Sequence, residues 1–254
     1  MVQPAFYQTV PESLDCYREA GFESVTIGHD AIMDLTTFSL DNPENEGMRE
    51  PVARLTALGH RLQIHEPPQP PLMLEELRAV SDDWLDVKHT QEKRFASGWF
   101  DDEYVRGSRV AAVHAPDGSV TAFVNVLPEY QVCELTIDLT RRRRDAEKGT
   151  MDFLFVRLFE WAKAQGYVTF NMGLIPLAGV GQAPADKAPE RMMQYIYKHF
   201  NQVYNFHGVY EFKAKFHPNW SPRYLQYRGA TALPAVWVAV LRAHTGDGSV
   251  LRRV

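Results

Sequence analysis

Two short stretches hold most of the side chains that could do chemistry. The first, TIDLTRRRR at 136–144, sets Asp138 three residues before four consecutive arginines, Arg141, Arg142, Arg143 and Arg144. A carboxylate at the end of a strand can take a proton or grip an ammonium group. Guanidinium groups near the start of a helix suit phosphate. The second stretch, YNFHGVYEFKAKFHPNWSPRYLQY at 204–227, interleaves Tyr204, Phe206, Phe212, Phe216 and Trp220 with Lys213, Lys215 and Arg223, and Arg228 follows directly. Bases stack on rings while Lys and Arg meet phosphates, so the pattern suits nucleic acid.

Each stretch has a plainer reading. Asp138 can simply ion-pair with one of the arginines, and the arginines can be a solvated basic loop. Most rings in a soluble protein are core, so the second stretch divides into core rings and a set of cations, with one tyrosine, that faces a ligand. A third stretch, FNMGLIPLAGVG at 170–181, runs from a strand into a loop rich in Gly and Pro. There Asn171 and Gly173 are candidates for substrate contact, because glycine lets a ligand approach the backbone closely; the alternative is an ordinary turn. The chain lacks the Walker pattern, G-x-G-x-x-G and the Gly-x-Ser-x-Gly elbow, which argues against those phosphate cradles and against a serine nucleophile.

The elements that must position these residues follow from pattern. PAFYQT at 4–9 and FESVTI at 22–27 read as strands around a helix at 11–21, with Pro11 in its first turn and Gly21 as its stop. A helix at 49–59 precedes the strand HRLQIHE. PPQPPL at 67–72 is a candidate linker, or else a rigid surface loop. Residues 81–95 form a helix capped by Ser81 or Asp82. Residues 109–128 form a hairpin about Pro116-Asp117-Gly118-Ser119, and 132–139 a further strand that ends at the basic loop. Met151, Leu154, Phe155, Leu158, Phe159 and Ala162 recur at helical spacing over 151–166. A strand at 167–173, a helix at 189–202 and a buried strand in ALPAVWVAVL at 232–241 complete the reading.

Composition sets the outer bounds. The 254 residues are 45% hydrophobic and 23% charged, which suits one large soluble domain or two small ones. Cys16 and Cys133 are too few for a disulfide framework and point to a reducing compartment. No Cys-x-x-Cys or His cluster has metal-ligand spacing; His60 and His65 read as structural or solvated. The start Met-Val-Gln-Pro does not look like a signal peptide, and the longest apolar run is shorter than the ~20 residues of a membrane helix. Formal charge is -5, yet it is uneven: residues 1–100 carry 17 acidic and 8 basic side chains, residues 101–254 carry 15 and 19. Local field rather than net charge decides where an anion docks.

The order of three strands, basic loop, amphipathic helix and strand resembles the core of GCN5-related N-acetyltransferases. FYQTVPESLDCYREAGF, TIDLTRRRRDAEKGTMDFLFVRLFEWAKAQGY, FNMGLIPLAGVG and above all YNFHGVYEFKAKFHPNWSPRYLQY resemble the cytoplasmic C-terminal domain of aminoacyl-phosphatidylglycerol synthases, the multiple peptide resistance factors. The resemblance implies an α+β chain of two tandem acetyltransferase-like folds. Residues 1–75 would be a first fold without its opening strands, and 76–254 a second fold with the catalytic site. It implies transfer of lysine or alanine from aminoacyl-tRNA to phosphatidylglycerol, without a cofactor, at the inner face of the membrane. That reaction alters membrane charge and resistance to cationic peptides. Asp138 and Arg141 match the family's Asp-Leu-x-Arg motif, Lys213 and Lys215 its Phe-Lys-x-Lys-Phe motif, and Arg223 its Trp-x-Pro-Arg-Tyr-Leu segment. These imply catalytic roles for Asp138, Arg141, Lys213 and Lys215, and substrate binding by Arg142, Arg144, Asn171, Gly173, Tyr204 and Arg223. The family's multi-helix membrane region is not in this sequence, which implies a separate or missing membrane-embedded domain. His207 replaces a usual Gln or Glu, and Gly28-His29-Asp30-Ala31 stands where an acidic Gly-Glu-Glu-Ala is common. The rival readings are an acyl-CoA-dependent N-acyltransferase, a tRNA-dependent peptidoglycan-bridge transferase, and a non-catalytic domain that binds anionic membrane or RNA.

Overall fold

The computed structural model describes residues 4–88, 98–129, 132–176 and 206–245. They are α+β and fall into two compact units, a central one of Met33–Asn171 and a terminal one of Met1–Ile32 with Met172–Val254. The strands β2 (Glu23–Asp34) and β7 (Thr169–Pro176) each contribute residues to both. The expected boundary at 75/76 falls inside a helix of the central unit.

In the central unit, β3 (Arg61–His65), β4 (Arg109–His114), β5 (Val120–Glu129) and β6 (Glu134–Arg142) pair antiparallel in that order. β6 then pairs in parallel with β7, over Glu134–Thr136 against Thr169–Asn171. Val110 and Ala112 alternate along β4 and join Phe123, Leu139 and helix α3 (Pro71–Lys88) in one core, with Leu77 and Val80 fully buried. Helix α5 (Thr150–Ala164) packs against β3, β4 and β5 and against α2 (Glu46–Ala57), and buries the apolar stripe read from sequence. The order β4, β5, β6, α5, β7 is the order of three strands, helix and strand expected.

Two expectations change here. The proline-rich segment is the entry to α3, which begins at Pro71 rather than near Ser81. Proline suits a first helical turn, and Met73, Leu74, Leu77, Val80 and Trp84 then recur at helical spacing. Gln69 fixes the approach by donating through Nε2 to the carbonyls of His65 and Ser108. Residues 89–95 of the expected helix lie outside the described residues. Strand β6 also runs on through Arg141 and Arg142, because β5 continues opposite it as far as Ala122. The basic loop therefore starts two residues later than the sequence suggests.

In the terminal unit, β8 (Asn219–Tyr227) lies between β1 (Phe6–Thr9) and β2, antiparallel to both. A 3-10 turn at Pro11–Ser13 leads into α1 (Leu14–Glu19), and Gly21 ends the segment at φ +79°. Helix α6 is Phe206–Ala214 and α7 is Leu233–Thr245. ALPAVWVAVL is thus a helix, not the expected strand. Leu233, Trp237 and Val240 stand at i, i+4 and i+7 and pack on Val25, Ile27, Leu225 and Tyr227, while Pro234 sits in the first turn, where its missing N–H costs nothing. The helix expected at 189–202 lies outside the described residues.

Candidate functional site

Asp138 sits at an irregularity in the central sheet. Val124 pairs with Thr140 and Val126 with Ile137, so Asp138 and Leu139 together oppose the single residue Asn125. Such a bulge turns a side chain to a new direction and frees a backbone group. Buried Asn125 compensates: its Oδ1 accepts from the Leu139 N–H at 2.6 Å, and its Nδ2 donates to the Tyr104 hydroxyl at 2.9 Å. Tyr104, from helix α4 (Asp102–Arg106), donates in turn to Asp138 Oδ2 at 2.8 Å. Burial first, and then the bond to Asp138, push the phenol pKa up, so Tyr104 remains a donor. The Gly98 N–H donates to Asp138 Oδ1 at 2.6 Å. A Cβ on Gly98 would stand 1.9 Å from Oδ2, so only glycine fits beside this carboxylate.

The plain reading of Asp138 as an arginine's ion partner does not hold among the described residues; its partners are a phenol and a backbone amide. Each carboxylate oxygen already accepts one bond and keeps lone-pair capacity for a further donor, such as a ligand ammonium.

The four arginines diverge. Arg141 is buried, with its guanidinium 4.3 Å from the Trp84 ring centre; Nε donates to Ser81 Oγ at 3.3 Å and Nη1 to the Thr140 carbonyl at 3.2 Å. Ser81, expected as a helix cap, is instead a buried residue inside α3. Arg142 is exposed. Arg143 donates to the Val120 carbonyl at 2.7 Å, and Arg144 lies 3.7 Å from the Asp83 carboxylate. Pleat alternation sends Arg141 and Arg142 to opposite faces.

The start of α5 is covered. Gly149 caps it at φ +86°, and a Cβ there would lie 2.6 Å from Pro51 Cβ on α2. Arg54 of α2 reaches Glu147 at 3.3 Å and the Lys148 carbonyl. The helix end expected to receive phosphate is a packing joint with α2. Asn171, 9% exposed, accepts from Thr136 Oγ1 at 3.1 Å through its carbonyl. His65 lies not with His60 but with His114, Nε2 to Nε2 at 3.0 Å. His114 Nδ1 faces the Gly118 carbonyl at 2.9 Å and must donate there, so His65 is the donor between the rings.

The terminal unit holds the other candidates. Lys213, 9% exposed, donates from Nζ to the Gly173 carbonyl at 2.8 Å. Burial lowers its pKa to about 8, and the charge of Asp30 works against that fall. Gly173 presents this carbonyl from a backbone at φ +85°. Lys215 is exposed, 5.3 Å from the Phe212 ring centre, so the two lysines of the motif differ in burial. Arg223, 9% exposed, meets Asp30 Oδ2 through Nη2 at 2.8 Å and donates through Nη1 to Ser221 Oγ and the Pro222 carbonyl. The rings divide as expected of such a set: Phe216 is core, whereas Tyr210, 41% exposed, stacks on Trp220 at 5.1 Å. Tyr204 and residues 177–181 lie outside the described residues.

Four residues escaped the sequence reading: Gly98, Tyr104, Asn125 and Asp30. Asp30 alone had a signal, as the acid retained in Gly28-His29-Asp30-Ala31. Nothing in the sequence near Gly98, Tyr104 or Asn125 links them to Asp138, since the sheet and α4 make that link.

Residues 1–227 match the family described as "Phosphatidylglycerol lysyltransferase, C-terminal". The chain is 38% identical over 237 residues to a phosphatidylglycerol lysyltransferase of Bacillus subtilis, and 34% identical over 237 residues to one of Staphylococcus xylosus. Each alignment covers 93% of this chain and 28% of the relative, so the chain spans little more than a quarter of their length. The structure of L-PGS from Bacillus licheniformis superposes with a TM-score of 0.81 at 36% identity, covering 95% of this chain and 72% of that one. Among the described residues no helix is long and apolar enough to cross a membrane.

Proposed function

Because the chain belongs to the family of phosphatidylglycerol lysyltransferase C-terminal domains, we propose that it moves an amino acid from aminoacyl-tRNA to the head-group glycerol of phosphatidylglycerol. The names of its relatives favour lysine over alanine as the cargo. In this reaction a glycerol hydroxyl oxygen attacks the ester carbonyl carbon, the bond from that carbon to the ribose oxygen breaks, and the proton ends on the ribose hydroxyl. One ester replaces another, so the protein must supply positioning and charge rather than an energy source.

The observation that carries this reading is Lys213, a nine-tenths-buried ammonium in an acidic chain. It suits the oxyanion that develops at the ester carbonyl. Asp138, held by Tyr104 and Gly98, grips the ammonium of the amino acid. Arg141 holds β6 to α3 through Ser81 and Trp84 and so sets where Asp138 stands. Exposed Arg142, Arg144 and Lys215 meet phosphates of tRNA or lipid; Arg223, Gly173, Asn171 and Tyr204 complete the substrate contacts. The working protein sits at the inner face of the membrane with a membrane-embedded portion as partner. Residues 1–75 are read as a partial first acetyltransferase-like fold and 76–254 as the second, which carries the catalytic site.

The test is incubation with charged tRNAs and phosphatidylglycerol vesicles, followed by lipid analysis. Aminoacylated phosphatidylglycerol is expected. Asp138→Asn and Lys213→Ala should each lower turnover by roughly 10²–10³. Turnover within a few-fold of the parent in both refutes the assigned residues, and absence of the lipid product with every charged tRNA refutes the function. An acyl-CoA-dependent reading gains nothing from the covered start of α5, and titration with acetyl-CoA should show no saturable binding.

A further inference from the structure

Three charged side chains are buried in the terminal unit: Lys213 on α6 and Arg223 on β8, each 9% exposed, and Asp30 on β2, 8% exposed. Their arrangement depends on a bulge. Thr26 pairs with Tyr224 and Gly28 with Arg223, so Ile27 is the extra residue, and Gly28 takes φ +149°. From there Asp30 pairs with Ser221, which shares a sheet face with Arg223 two residues on. That diagonal gives the 2.8 Å ion pair.

Arg223 spends both its Nη groups on this neighbourhood, on Asp30, Ser221 and the Pro222 carbonyl. Lys213 differs. Among the described residues its ammonium makes one hydrogen bond, to Gly173, and has two further N–H groups to offer. A buried ammonium with donors to spare is built to receive an anionic oxygen. Burial of two cations nevertheless disfavours both charges unless an anion accompanies them. Besides Asp30, β2 carries Glu23, His29 and Asp34, and β8 carries Arg223. Lys213's own helical segment adds His207, Glu211 and Lys215, all exposed. Asp30 is the group whose charge bears on Lys213.

We propose that Asp30 is the positioning residue of this site: it fixes Arg223 by a direct ion pair and supplies the buried negative charge that accompanies the Lys213 ammonium, which receives the oxyanion. This rests on the transferase reading, in which Lys213 acts as a cation.

The pH profile of transfer by the parent chain, corrected for spontaneous ester hydrolysis, tests both. A rate that depends on the Lys213 ammonium falls as pH rises through about 8. Asp30→Asn should move that midpoint down by about one unit or more, and Asp30→Glu should restore it. Where Asp30→Asn does not fold, Arg223→Gln decides: it takes from Asp30 the guanidinium that its carboxylate meets and should move the midpoint up. The same midpoints are read without turnover from pH-dependent acylation of Lys213 followed by peptide mass spectrometry. A parent profile flat or rising across this range, with Lys213 titrating near 8 by acylation, overturns its role in transfer and leaves Asp30's role standing. An acylation midpoint unmoved in both Asp30→Asn and Arg223→Gln overturns the inference about Asp30, whatever the chain catalyses.

Discussion

Replacing Tyr104 by Phe removes one oxygen that serves two partners. It donates to Asp138 Oδ2 at 2.8 Å, and a hydrogen bond to a carboxylate contributes ~1.5–3 kcal/mol. It also accepts from Asn125 Nδ2, and Asn125 is fully buried, so the loss strands a donor at a cost of ~1–3 kcal/mol. Both Tyr104 and Asp138 keep some exposure, which trims the first figure. The ring remains against the α3 core, so cavity formation adds little. The expected destabilisation is about 2–4 kcal/mol. A double-mutant cycle isolates the shared bond: urea unfolding of the parent, Tyr104→Phe, Asp138→Ala and the combined variant. A coupling energy of ~1.5–3 kcal/mol is expected. A coupling within ~0.5 kcal/mol of zero refutes the claim that Tyr104 holds Asp138, and with it the account of why the bulge, Asn125 and α4 form one unit.

Gly149→Ala places a Cβ against Pro51 at a positive φ, and should cost ~1–3 kcal/mol of unfolding free energy; a variant as stable as the parent would show that α2 is not packed on the start of α5. Arg141→Lys retains the charge but loses the planar stack on Trp84, with ~0.5–2 kcal/mol lost by chemical denaturation and a lower rate of transfer; full activity would remove Arg141 from the supports of Asp138. His65 is held below its ordinary 6.5, first by burial and then by His114, with Glu76 opposing. A depressed base binds its proton more readily when unfolded, so its contribution is complete above about 6.5 and is lost as pH falls from there through the lowered folded value. His65→Phe should flatten the acid side of the urea-midpoint profile, and an unchanged slope would exclude the histidine pair as its source.

Local pattern made much of this chain legible. The hairpin about Gly118, the apolar stripe of α5 and the glycine stops at Gly21, Gly59 and Gly166 depend on neighbours in sequence, and each glycine does take a positive φ. What failed depended on partners far away. Arg141 reads as loop because it is one of four arginines, yet β5 draws it into a strand and α3 supplies Ser81 and Trp84. ALPAVWVAVL is apolar enough for either element; the choice of helix comes from the sheet it covers. Lys213 and Lys215 look like a pair in sequence, but a helical path separates residues two apart, burying one and exposing the other. The resemblance brought the eye to Asp138 and Lys213. It gave no hint that a phenol, a buried amide and a glycine without room for a methyl group hold the first, or that an acid from the opening residues accompanies the second.

The contact of α2 with the first turn of α5 has a thermodynamic corollary. Exposed backbone amides at a helix start attract sulfate or phosphate, but here those anions reach them only in molecules whose α2 has lifted. Binding to that minor form draws molecules toward it. Anions that commonly stiffen proteins by exclusion from their surface would then loosen this one locally, and amide exchange along α2 would quicken as their concentration rose.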